Sequence, residues 1–133
     1  MKVVVDTNVL ISGVFFGGMP SRVLEAWRDG RIGLVVSPEI LEEYRRVGEE
    51  LAAQFPGVSL APLLTLLVMT AEITEAPELP EQVSRDPDDD KFIACALAGD
   101  CQLIISGDKH LLEVSGYQGV KVVAPREFLE SVL

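Results

Sequence analysis

Four places in this chain carry carboxylates whose setting suggests chemistry: Asp6, Glu43, the run from Asp86 to Asp90, and Asp108. Asp6 ends the opening stretch MKVVVD, where three valines read as a short strand buried on both faces. A carboxylate at the carboxyl end of a central strand stands where open α/β sheets place their ligands, although an Asp there can equally cap the next helix. Arg85–Lys91, RDPDDDK, packs four acids into five residues. One or two of them suit the positive end of a helix dipole. Four at such short range repel one another unless something cationic sits among them. Asp108 closes the turn Ser106-Gly107-Asp108, from which it can cap a short helix or face Asp6 across adjacent strand ends. Ionised carboxylates accept hydrogen bonds only, and their oxygens are the ligands hard cations take.

Glu43 belongs to this group by its place on a helix. In PEILEEYRRVGEEL the apolar stripe runs through Ile40, Tyr44, Val47 and Leu51, and of the five acids Glu43 lies closest to it. A carboxylate beside a buried stripe is either paired, with Arg46 or Arg22 in reach, or it is a ligand. In the acidic run, Asp89 and Asp90 both have apolar residues three and four places on, so helical spacing does not choose between them; Asp88 lines up with Lys91 on a solvated face. An EF-hand reading fails because Lys91 and Leu97 stand where it needs Gly and Glu. A haloacid-dehalogenase-type phosphatase would need an acid at Asn8, and the chain has no glycine-rich phosphate loop. Ser106, Asp108 and His110 are too close together to form a hydrolase triad, and His110 reads as a surface or capping residue.

The elements needed to bring these acids together are legible in order. A helix follows Asp6 toward Phe16 and is broken by Gly17-Gly18; the next starts at Pro20 and ends near Gly30. Residues 31–37 are a second strand, and Ser37-Pro38-Glu39 starts a helix with Ser37 as cap. Residues 58–71 form an apolar helix with Pro62 in its first turn, and Ile73 marks a short third strand. Residues 74–89, with Pro77, Pro80 and Pro87, form an ordered loop or lid. Residues 90–98 are a helix closed by Gly99, 102–106 a fourth strand, 120–123 a fifth, and 125–133 a last helix. This alternation predicts a parallel sheet with helices on both faces and all strand C-termini on one edge, gathering Asp6, Ser37, Asp86–Asp90 and Ser106–Asp108.

Length and composition fit one domain over residues 1–133 with a sizeable core, since 48% of the residues are hydrophobic. Cys95 and Cys101 match no metal spacing and suggest a reducing compartment, so a cytoplasmic location is expected. The longest apolar patch, residues 60–71, is too short to span a bilayer, and no membrane association is expected. A net charge of −10 argues against a general basic surface for nucleic acid, but not against an acidic pocket that attracts phosphate once divalent cations bind.

Four ordered motifs, VVVDTNVLIS, SPEILEEYRRV, RDPDDDKFIACAL and LIISGDKHLL, together resemble a PIN domain over essentially the whole chain. More narrowly, they resemble the toxin components of bacterial toxin–antitoxin systems, the VapC-like ribonucleases. The resemblance implies a three-layer α/β/α sandwich with a five-stranded parallel sheet and a Mg²⁺- or Mn²⁺-dependent ribonuclease, commonly homodimeric, with a cognate antitoxin as possible partner. Carried over by motif, the catalytic and metal-binding acids are Asp6, Glu43, Asp90 and Asp108, so that the resemblance selects Asp90 over Asp89. It also implies that Asn8 holds Asp6 by a hydrogen bond, that Ser106 occupies a Thr/Ser position, and that Asp86 is an extra contributor. Gly48 departs from the apolar residue common in that helix, which bears on packing. The alternatives are a non-catalytic module binding RNA or a protein, whose mark would be a missing acid, and a metal-dependent phosphohydrolase of small phosphoesters.

Overall fold

Valines in succession have alternate side chains on opposite faces of a strand, so a strand with every residue buried must be covered on both sides. In the computed structural model, which describes residues 1–133, this is the case for β1 (Lys2–Val5): Val3, Val4 and Val5 are all buried. The same holds for the last three residues of β2 (Gly33–Val36). With β3 (Glu72–Ile73), β4 (Leu103–Ile105) and β5 (Lys121–Val123) they form one all-parallel sheet in the order β3-β2-β1-β4-β5. The chain winds from β1 outward through β2 to β3, then returns to lay β4 on the other side of β1. The crevice between the ends of β1 and β4 is therefore the topological switch point, where doubly wound sheets bind ligands.

Register fixes what meets there. Val5 pairs with Ile105, and the ladder runs one residue further, with the Asp6 amide donating to the Ile105 carbonyl at 3.0 Å. Asp6 and Ser106 thus leave adjacent strands at the same level.

The helices are α1 (Thr7–Phe15), α2 (Gly18–Arg28), α3 (Pro38–Gln54), α4 (Ala61–Thr70), α5 (Asp90–Ala98), the short α6 (Lys109–Leu112) and a closing turn α7 (Pro125–Glu127). Local chemistry accounts for several boundaries. Gly17, the cap of α2, and Gly18, its first residue, adopt positive φ where α1 gives way to α2, and the Ser37 hydroxyl, ahead of Pro38, accepts from the Ile40 amide. The expected last helix differs: after one α turn the chain widens into a π turn, Phe128–Val132, with the Leu133 amide bonded to the Phe128 carbonyl five residues back. Gly48 has a packing reason. A Cβ there would lie 2.3 Å from Leu60 Cδ1, so this glycine lets the segment leading into α4 close on α3.

No single helix is long and apolar enough to cross a membrane.

Candidate metal centre

Each acid arrives by a different route. Asp6 stands at the N-cap position of α1, but its main side-chain bond is not a capping one. Instead the Ser106 hydroxyl donates to Asp6 Oδ2 at 2.7 Å, and the Asp108 amide donates to Ser106 Oγ at 3.0 Å. Ser106, fully buried, therefore ties the end of β1 to the turn carrying Asp108. Asp6 is only 4% exposed; burial pushes its carboxyl above the usual range, the Ser106 bond opposes this, and the charges of Asp108 and Glu43 add to it.

Glu43 lies beside the buried stripe of α3, its side chain 12% exposed. Its partner is neither Arg22 nor, closely, Arg46, whose guanidinium is 3.9 Å away. The Thr7 hydroxyl donates to one oxygen and Lys91 Nζ donates to the other at 2.6 Å. Burial alone would lower the Lys91 pKa, but the bond and charge of Glu43, with help from Asp88, raise it. Sequence spacing could not reveal either partner, because Thr7 and Lys91 lie on other elements, 36 and 48 residues away.

The acidic run divides in a way that differs from the resemblance. Asp90, the acid it selects, is the first residue of α5, and its two oxygens accept from the Val83 and Ser84 amides at 3.0 and 2.8 Å. It anchors the proline-rich loop and lines a cavity of about 640 Å³ shared with Glu39, Glu78 and Lys91. Asp89 is the residue beside Asp108. It ends the 3₁₀ turn Pro87–Asp89, is 9% exposed, and its Oδ2 is buried without any hydrogen-bond partner. Burial first, then the bond and charge of Asp108, then Asp86 and Asp6, push its carboxyl up to about 8. Asp86 caps the 3₁₀ turn by accepting from the Asp88 amide at 3.0 Å.

Asp108 caps α6, accepting from the His110 amide at 3.0 Å, and also faces the site. Burial would raise its pKa, but the bond from Asp89, the His110 amide and the nearby His110 and Lys109 charges outweigh it and hold the carboxyl low. His110, read from sequence as a surface or capping residue, brings its imidazole into the group: ligand atoms of Asp89, Asp108 and His110 all lie within 4.8 Å of one another. The available signal was its place two residues beyond Asp108 on the turn leaving β4. Asn8 is exposed, and it is its backbone amide, through a hydrogen bond that favours the charged Asp6 carboxyl, that ties it to Asp6. With Asp86, Asp108 and His110 it lines an open cavity of about 550 Å³.

The structure therefore brings together Asp6, Asp89, Asp108 and His110, with Asp86 at the mouth and Glu43 near enough to influence Asp6. Two carboxylates in contact, both acceptors when ionised, need a shared proton or a cation between them. A buried oxygen with no donor costs about 1–3 kcal/mol. The unpartnered Asp89 Oδ2 beside Asp108 thus suits a divalent ion, and so does an oxygen-rich donor set.

A search of curated proteins found no match. The family model for the PIN domain matches residues 2–110, which include every residue of this centre. With that match over most of its length, the chain belongs to the PIN domain family, whose members are generally metal-dependent nucleases.

Proposed function

We propose that this protein is a divalent-metal-dependent endoribonuclease, the toxin component of a toxin–antitoxin pair, with Asp6, Asp89 and Asp108 holding Mg²⁺ or Mn²⁺. The observation that supports it most is the buried, unpartnered Asp89 oxygen set against Asp108 at the switch point of the sheet. When bound, such an ion lowers the pKa of a coordinated water and offsets the charge of the scissile phosphate. The chain's own residues prepare for this. Ser106 fixes the orientation of Asp6 and of the Asp108 turn, and Lys91 and Thr7 hold Glu43 in one position.

Electrostatics supports a role for the ion in substrate binding as well. Arg45 pairs with Glu42 and Glu49, Arg46 lies near Glu43 and Glu50, and Arg85 near Glu113. These three arginines are already paired with acids, whereas Arg22, Arg28, Arg31 and Lys109 form no ion pair, so on a chain carrying −10 overall bound cations add to what those side chains offer a phosphodiester.

The test is cleavage of a defined RNA with Mn²⁺, with EDTA, and against a small phosphoester. Cleavage of the RNA that needs the metal and disappears in a folded Asp6→Asn variant is the expected result. Preference for the small ester, or wild-type cleavage by Asp6→Asn, would overturn the reading. The toxin role predicts growth arrest on expression, relieved by a co-expressed partner, and a homodimer predicts twice the monomer mass in sedimentation.

A further inference from the structure

We propose that His110 gives the bound ion a nitrogen ligand, so that the centre selects Mn²⁺ over Mg²⁺. This deepens, and rests on, the reading of the acidic group as a metal centre.

Three observations converge on the imidazole. Its ligand atom, with those of Asp89 and Asp108, fits within 4.8 Å, a spread that one ion can bridge when each donor stands about 2.0–2.3 Å from it. Asp89, nine-tenths buried, contributes a carboxylate oxygen to the same group, and no donor satisfies its Oδ2. Finally, His110 Nδ1 stands 3.9 Å from Asp108 Oδ1, too far for a hydrogen bond, and the ring makes no other side-chain hydrogen bond in the chain. The backbone explains why the ring is there at all. The His110 amide is fixed on Asp108 Oδ1, so the residue enters α6 beside the carboxylate and cannot drift from it without breaking the cap.

The chemistry then discriminates. A site of carboxylates alone suits Mg²⁺ and Ca²⁺ as well as Mn²⁺, whereas imidazole favours transition metals, and Mg²⁺ gives up its waters reluctantly. Adding one nitrogen to two or three oxygens should therefore raise affinity for Mn²⁺ far more than for Mg²⁺. The ring must be neutral to bind, as it is for any metal-ligating histidine.

The experiment uses the full chain with Mn²⁺ alone as probe. Mn²⁺ titration by electron paramagnetic resonance measures binding, and pulsed resonance on the bound ion reads magnetic coupling to ¹⁴N. The expected result is a ¹⁴N coupling in the wild type, lost in His110→Leu. The variant should bind Mn²⁺ at least about tenfold more weakly, the loss seen even when an outer partner of a metal ligand is removed. Its Mg²⁺ affinity, from competition, should change much less. Mn²⁺ bound to the wild type and lost in Asp89→Asn, but without ¹⁴N coupling, overturns the role of His110 and leaves the metal centre standing. Failure of the wild type to bind Mn²⁺ at all overturns both. The wild-type spectrum decides the matter even where the leucine variant fails to fold.

Discussion

Replacing Asp89 by Asn should stabilise the metal-free protein, and the size of the effect follows from the site. Asp89 carries a carboxyl pushed from 3.8 up to about 8 by burial and by Asp108. An acid whose pKa is raised on folding holds its proton more tightly in the folded state. Its contribution to stability is complete below the unfolded value near 3.8, is lost as pH rises, and levels off above about 8. Every tenfold change in proton affinity is worth about 1.4 kcal/mol, so at pH 7 the ceiling on the penalty is about 4 kcal/mol. Asp108, held low by the same contact, returns part of this, because its stabilising contribution is present once pH exceeds its ordinary value. Water at the open mouth of the site screens a further part. A net penalty of about 2–3 kcal/mol near neutral pH remains as the expected figure.

Asn keeps the shape, carries no charge and can donate to Asp108. The assay is urea unfolding of wild type and Asp89→Asn in EDTA at a series of pH values. The two should coincide near pH 4 and diverge toward pH 8, with the variant the more stable. Mn²⁺ at a hundred times its dissociation constant should then add about 2.7 kcal/mol to the wild type alone, erasing the difference. Equal stabilities at every pH without metal, or a variant weaker than wild type at pH 8, would refute this account of the centre.

Other substitutions separate the site from its supports. Asp90→Ala should cost about 1–3 kcal/mol in unfolding experiments and speed proteolysis in residues 82–86, since the Val83 and Ser84 amides lose their acceptor, while Mn²⁺ binding persists; lost binding with unchanged stability would return Asp90 to the ligand set. Ser106→Ala leaves both Asp6 Oδ2 and the Asp108 amide without a partner and should cost about 1–3 kcal/mol in urea unfolding. Gly48→Ala forces a methyl against Leu60 and should lower stability by about 1–3 kcal/mol without touching metal affinity, measured side by side by unfolding and Mn²⁺ titration.

Where local chemistry decides structure, the sequence was readable. Ser37-Pro38 starts a helix because hydroxyl and ring solve the problem of the free amides there, and Gly17-Gly18 breaks one because positive φ is cheap for glycine. The buried strands announced themselves as unbroken runs of Val, Ile and Leu, and their number and parallel pairing followed from alternation with helices. Contacts between distant elements were not legible. Lys91 reaching Glu43, Thr7 bonding the same carboxylate, and His110 turning inward each depend on how two elements pack, which no spacing within one element encodes.

Asp89 and Asp90 show where the limit lies. Spacing arguments assume one continuous α-helix, in which neighbours differ by about 100°. Here the helix begins at Asp90, and Asp89 belongs to a 3₁₀ turn imposed by Pro87 and capped by Asp86. The capped turn lets Asp89 face Asp108 while Asp90 turns to the loop amides behind it. The proline-rich loop then has its own physical requirement: the part-buried amides of Val83 and Ser84 need acceptors, and the two oxygens of Asp90 supply them. Having two adjacent acids allows one to hold the loop and leaves the other without a donor beside Asp108. A chain with a single acid here would have to choose between an anchored loop and a complete cation site, and substituting Asp89 and Asp90 one at a time should therefore produce two different defects.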